Sequence, residues 1–228
     1  MKLSKICRCV VIGTSLLLAG YGSAGAAEQQ YSGFASDYSG LKKTRDPLGE
    51  PVLRMVSPRF TPANYHALII EPVHLYPEPQ PSDKVSQSTL DEIAQYINSK
   101  LKSQLAKDIK ITDTAGPGVA RLRIAITDVG AKTEGRKPYQ FIPVALVLTT
   151  ASRAISGAPQ EATLHVESEV TDSDNGGRLM VAVREGTGER LKKAAGGEDV
   201  ITLDALKPLL DHWIEATIKE SVEYIKSR

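Results

Sequence analysis

Residues 161–184, EATLHVESEVTDSDNGGRLMVAVR, decide the fold. Ala162, Leu164, Val166 and Val170 alternate with His165, Glu167 and Glu169, the period-two pattern of a strand with one buried and one solvated face. Asp174-Asn175-Gly176-Gly177 supplies the backbone freedom for a tight reversal, after which Leu179, Val181 and Val183 resume the alternation. Alternating runs joined through Asn-Gly read as a hairpin, so the centre of the chain is antiparallel sheet.

Working outward, Leu122, Ile124 and Ile126 alternate with Arg121, Arg123 and Thr127 in another half-buried strand, and Ala67–Val73 (ALIIEPV) is short and apolar enough for a buried one. Between them Leu90, Ile93, Ala94, Ile97, Leu101 and Leu105 form one stripe at helical spacing, with Ser88 and Asp91 as a capping box, and Ile109–Asp113 is a short strand. Leu206, Leu209, Leu210, Trp213, Ile214, Ile218, Val222 and Ile225 make a second helical stripe, with Pro208 placed in its first turn. Phe141–Ile155 is apolar but, at 15 residues with Arg153 inside, too short for a bilayer span; it reads as a buried or covering segment. This order predicts an α+β fold: a mostly antiparallel sheet of four to five strands with two main helices on one face. Arg121, Arg123, Glu167 and Glu169 then share the other face, expected to be solvated, where opposite charges on neighbouring strands would pair.

The N-terminal part reads differently. Lys2, Lys5 and Arg8 precede the apolar run Val10–Ala19 and the small residues Gly20–Ala27, the order of a secretory signal over residues 1–27. Leu17-Leu18-Ala19-Gly20 is the front of a lipobox, but the next residue is Tyr21, whose phenol cannot form the thioether that a cysteine would. Three outcomes stay open: release into the periplasm, retention on an uncleaved anchor, or a cysteine codon altered in this copy. Residues 28–62 read as an extended arm with Pro47, Pro51, Pro58 and Pro62, and residues 63–228 as a single α+β domain. The arm repeats Tyr-Ser-Gly at Tyr31-Ser32-Gly33 and Tyr38-Ser39-Gly40, which makes Tyr31, Phe34, Tyr38 and Leu41 the candidate partner-binding residues.

Composition removes several function classes. With 28 basic and 27 acidic residues the chain carries a charge of +1, so it lacks the phosphate attraction that nucleic-acid binders need. Cleavage after Ala27 removes three basic residues and leaves 201 residues with a charge of −2. The two cysteines, Cys7 and Cys9, leave with the signal, and thiolate chemistry and disulfides leave with them. His66, His74, His165 and His212 show no metal-ligand spacing. Asp172, Asp174, Asn175 and Gly177 open like a calcium loop, yet Val183 stands where the bidentate glutamate belongs. Gly116-Pro117-Gly118 and Gly186-Thr187-Gly188 lack the features of a phosphate loop, and there is no Gly-x-Ser-x-Gly elbow. No catalytic, cofactor or metal residue is nominated, and the chain reads as a non-enzyme.

Five blocks together resemble DUF3313, a family of bacterial envelope lipoproteins without assigned function. They are Ser32-Gly33-Phe34 with Asp37-Tyr38-Ser39-Gly40-Leu41; Ile69-Ile70-Glu71-Pro72-Val73; Gly118 with Leu122–Asp128; Glu169, Thr171-Asp172 and Gly176; and Leu206-Lys207-Pro208 with Asp211-His212-Trp213. The resemblance implies an exported protein of the periplasm or the periplasmic side of the outer membrane, with Tyr21 departing from the family at the lipidation position. The expectation is a non-catalytic binding or accessory module with an envelope protein partner and no cofactor, associated with the membrane through an uncleaved signal or surface contact. The alternative is a carrier of a small apolar or lipid ligand, with Phe141–Ile155 over its pocket.

Overall fold

The structure, a computed structural model, describes residues 31–78, 81–134 and 159–227; the signal segment of residues 1–27 and the run Phe141–Ile155 lie outside them. In chain order the elements are β1 (Lys42–Arg45), β2 (Pro51–Val56), β3 (Ala67–Ile70), β4 (His74–Leu75), α1 (Gln87–Asp108), β5 (Lys110–Ile111), β6 (Val119–Thr133), β7 (Gln160–Asp172), β8 (Arg178–Arg190), β9 (Lys192–Lys193), β10 (Asp199–Val200) and α2 (Leu203–Tyr224). Eight strands form one sheet in the order β1-β2-β8-β7-β6-β3-β5, with β4 also on β6, while β9 and β10 make a separate pair. β3, β4 and β5 run parallel to their neighbours and the rest are antiparallel.

The fold is therefore α+β, but its sheet has eight strands where four to five were expected. Of the three strands beyond those expected, β4 is two residues long and leaves no periodic trace, whereas β5 lies within the short strand expected at Ile109–Asp113. The other two, β1 and β2, fall inside the stretch read as an extended arm. β1 (KKTR) is exposed throughout, and its charges suit an edge strand, which hides it from any search for buried alternation.

Helix α1 is capped two residues before the expected Ser88. Ser86, extended at φ −83° and ψ 157°, accepts the Thr89 N–H at 3.1 Å, whereas Ser88 already lies inside the helix. Leu90, Ile93, Ile97, Leu101 and Leu105 are buried, as their spacing requires. Helix α2 is capped by Thr202, which puts Pro208 at its sixth residue, in the second turn rather than the first. The proline removes the bond to the Asp204 carbonyl four residues back. Leu206 and Leu210 are fully buried with Leu164 and Leu179 in the layer between helices and sheet. Burying each such side chain is worth about 1.5–3 kcal/mol.

The hairpin departs from simple alternation at one point. Val170 pairs with Met180 but Thr171 with Arg178, so Leu179 is an extra residue, a bulge. Leu179 and Met180 both join the helix-side core, while Val181 and Val183 turn to the opposite face, beside Glu169 and Glu167. Further along β8, a Cβ on Gly186 would lie 2.6 Å from Leu209 and one on Gly188 2.2 Å from the Ala205 carbonyl oxygen. The Gly-Thr-Gly sequence thus lets α2 lie against β8 at a distance that no larger residue permits.

Candidate functional site

The sheet face expected to be solvated is covered. Glu167 and Glu169 are 2% and 1% exposed because the chain from Tyr31 to Leu41 crosses them as a strap. Glu167 accepts the Ser32 N–H at 2.9 Å, the Ser32 hydroxyl at 2.8 Å and the Tyr38 hydroxyl. Glu169 accepts the Ser36 N–H at 2.9 Å and the Ser36 hydroxyl, and pairs with Arg123 Nη1 at 3.0 Å. The Tyr38 oxygen in turn accepts the Gly33 and Ala35 N–H groups, at 3.1 and 3.0 Å. Burial, together with the carboxylate it donates to, pushes the Tyr38 phenol up to about 12, so it stays a donor.

The four residues read as partner contacts are placed by this strap. Phe34 is buried beneath Tyr76 with the Arg123 guanidinium 4.6 Å from its ring centre; Tyr31 stacks on Tyr38 at 4.3 Å; Leu41, half-buried, leads into β1. The expected pairing across strands holds for Arg123 and Glu169, which are direct neighbours in register. Arg121 instead pairs with Glu71 at 2.8 Å, since its register partner is Thr171.

On the helix side, Arg184 of β8 donates to Asp46 at 2.6 Å and lies 3.4 Å from Glu220 of α2, which also pairs with Arg54 of β2. Burial raises the Glu220 carboxyl against the pull of Arg184 and Arg54. Burial works the same way on Asp46, but the Arg184 bond and the Glu50 and Leu48 N–H groups outweigh it and hold the acid low. This network ties the β1–β2 hairpin to α2 around the edge of β8. His212 Nε2 is buried without a hydrogen-bond partner, 3.9 Å from Asp46.

Beyond the strap, the outer face carries a row across three strands: Asp128 opposite His165, and His165 opposite Glu185. Burial pushes Asp128 up to about 6, assisted by Glu185, and pulls His165 down to about 4. The imidazole is thus neutral near pH 7, and its 3.7 Å approach to Glu185 is not an ion pair there. Burial raises Glu185 too, although Lys132 opposes it.

The hairpin, the edge of β8 and α2 enclose a groove of about 630 Å³. Lys43, Glu50 and Val52 form one wall, Glu185 and Thr187 the other, and Leu209 and Trp213 the floor. Its volume lies within the range of ligand and peptide sites. Sequence reasoning missed it, because its walls come from segments more than 130 residues apart that share no motif. Of the residues that open like a calcium loop, Asp172 accepts the Tyr65 hydroxyl at 2.8 Å and the Asp174 N–H at 2.9 Å, closing the hairpin turn.

The family model described as "Protein of unknown function (DUF3313)" matches residues 30–217. An uncharacterized lipoprotein, YdcL, of Escherichia coli (strain K12) is 34% identical over 191 residues, covering 84% of this chain and 86% of that protein. Among solved structures, a PelC dodecamer from Paraburkholderia phytofirmans has a TM-score of 0.40 at 13% identity, covering 80% of this chain and 99% of that one. The hypothetical protein CT253 from Chlamydia trachomatis also has a TM-score of 0.40, at 10% identity, covering 70% and 97%. These structural likenesses are too distant to define a function. The family match spans most of the chain, which belongs to the DUF3313 family.

Proposed function

We propose that this chain is a non-catalytic binding or accessory module of the bacterial cell envelope, exported and working in the periplasm or on the periplasmic side of the outer membrane. The carrying observation is the groove beside β8, a 630 Å³ concavity whose walls are locked together by the Arg184, Asp46, Glu220 and Arg54 network. A preformed, rigidly walled groove is what a binding module requires. Two features support the envelope setting: the signal-like order of residues 1–27, and a relative of 34% identity that is called a lipoprotein. Tyr21 implies that this copy carries no diacylglycerol at that position.

Two measurements test the reading. Cell fractionation with intact-mass analysis should find an exported chain without acyl mass; a cytoplasmic, full-length chain would refute the setting. A photo-crosslinking residue placed at Leu209 or Lys43 should give one discrete envelope adduct in cells, and the same residue at Lys102 on α1 should give none. Equal, diffuse labelling from all three positions would refute the binding module. The apolar floor of Leu209 and Trp213 also favours a small apolar ligand as a second reading. Native mass spectrometry of the exported protein separates the two, since a carrier would retain extra mass.

A further inference from the structure

The β8 edge stops being paired halfway along its length. The Ser57 N–H donates to the Leu179 carbonyl at 2.7 Å, and across the sheet the Ser173 N–H donates to the Val119 carbonyl at 3.0 Å. Backbone groups alternate in an antiparallel ladder, so odd-numbered residues of β8 turn their N–H and C=O toward β2 and even-numbered ones toward β7. The β2 register ends at Leu53 opposite Val183. The next residue of β2 that could donate to β8 is Pro51, opposite Glu185, and proline has no N–H. By this register the Glu185 carbonyl and both backbone groups of Thr187 have no β2 strand partner, and both residues line the groove. Strand edges left open in this way are ready templates for a further strand.

The side chains around the edge define the occupant. On the outer face Glu185 stands at the open edge, and Glu50 adds a second carboxylate to the rim against Lys43. On the helix side, Leu209 and Trp213 offer apolar surface, drawn close to the strand because Gly186 has no side chain. Successive residues of a strand point to opposite faces, so one added strand meets both surfaces at once. Resting on the binding-module reading above, we infer that the groove binds an extended segment of a partner protein by strand addition to Glu185 and Thr187, with a basic side chain facing Glu185 and an apolar one on Leu209 and Trp213.

The test uses the exported chain and a random dodecapeptide display library as probe. Enriched peptides should share alternating basic and apolar positions. N-methylation at every second residue should weaken the best peptide roughly tenfold per bond lost, while the intervening positions tolerate it. In hydrogen exchange the Thr187 amide should be fast in the free protein and slow with peptide bound, next to a Gly186 amide slow in both. Thr187→Pro should remove binding while leaving the thermal midpoint nearly unchanged, since the lost N–H points away from β7. Tolerance of N-methylation at all positions, or an unchanged Thr187 amide, overturns strand addition and leaves the groove's crosslinks standing; so does failure to enrich any peptide. Self-association that slows the Thr187 amide without peptide overturns the choice of occupant, the second strand then coming from another copy. Loss of the discrete Leu209 and Lys43 adducts, by contrast, removes the binding module itself.

Discussion

The outer face of the sheet holds two sets of charged or titratable groups on neighbouring strands, one buried and one half-buried, and they are treated in opposite ways. Under the strap, Glu167 and Glu169 are surrounded by donors: Ser32, Ser36 and Tyr38, and the guanidinium of Arg123. Two to four residues further along, Asp128, His165 and Glu185 face one another with little compensation, and burial moves each toward its neutral form. Burial alone therefore does not decide how these groups are compensated: a dedicated segment of chain supplies hydrogen bonds to the first set, and among the described residues the second set has no such segment.

The largest effect expected from breaking this difference comes from deleting residues 31–41. Glu167 would lose all its strap donors, Glu169 would keep only Arg123, and Phe34 would no longer cover the surface. Because the deletion also opens both carboxylates to water, the loss is that of the charge-assisted hydrogen bonds and of Phe34 burial, about 3–5 kcal/mol in all, which lowers the thermal midpoint by about 10 °C in a domain of this size. A midpoint within a degree of the parent would remove the strap's structural role.

The second set responds to pH. Asp128 has an ordinary value of 3.8 and stands at about 6 in the fold, so the folded chain holds its proton more tightly and gains stability as pH falls from 6 to 4. His165 moves from 6.5 to about 4, so the unfolded chain takes the proton first and stability is lost over nearly the same interval. The two slopes oppose each other, with Glu185 leaning the same way as Asp128. Asp128→Asn should expose the histidine's slope, a loss on the order of 2–3 kcal/mol between pH 6.5 and 4, and His165→Gln the reverse. Denaturant titrations across that range measure both; parallel curves for parent and variants would dismiss the opposition.

How much of this could be read in the sequence follows from where the physics is local. The stripes of α1 and α2 and the hairpin at Asn175-Gly176 were legible because periodicity and turn chemistry are properties of neighbouring residues. The bulge at Leu179 was not, since one extra residue leaves the hydrophobic run looking unbroken while moving Val181 and Val183 to the other face. The Tyr-Ser-Gly repeat stood out, but not what it held: Glu167 lies 135 residues from Ser32, and alternating glutamates read as a wetted face until something is known to cover them. The groove was hidden for the same reason, its open edge depending on Pro51 falling opposite Glu185.

A smaller effect probes the strap one bond at a time. Tyr38→Phe keeps the ring that stacks on Tyr31 but removes one donor to Glu167 and the acceptor for the Gly33 and Ala35 N–H groups. Ser32 still bonds both oxygens of that carboxylate, so the loss should be about 1–2 kcal/mol, well short of the deletion. An equal loss would mean that the tyrosine alone holds the strap.

The smallest effect separates covered from uncovered charge within β6 itself. Arg121 and Arg123 are two residues apart on one face, yet Arg121 and its partner Glu71 keep about a third of their side-chain surface in water, whereas Arg123 meets a carboxylate that is 1% exposed. An ion pair in water contributes about 0–1 kcal/mol, so exchanging the charges as Arg121→Glu with Glu71→Arg should shift stability by about 1 kcal/mol, a cost that comes from turning residue 71 against Arg123, now 3.6 Å from Glu71. The same exchange at Arg123 and Glu169 places a guanidinium against the Ser36 N–H, a donor facing a donor, and takes the cation from the Phe34 ring. It should cost several times more, and thermal unfolding of the two double variants side by side is the measurement. Equal shifts would mean that the strap leaves the sheet face as wet as its alternating sequence suggests.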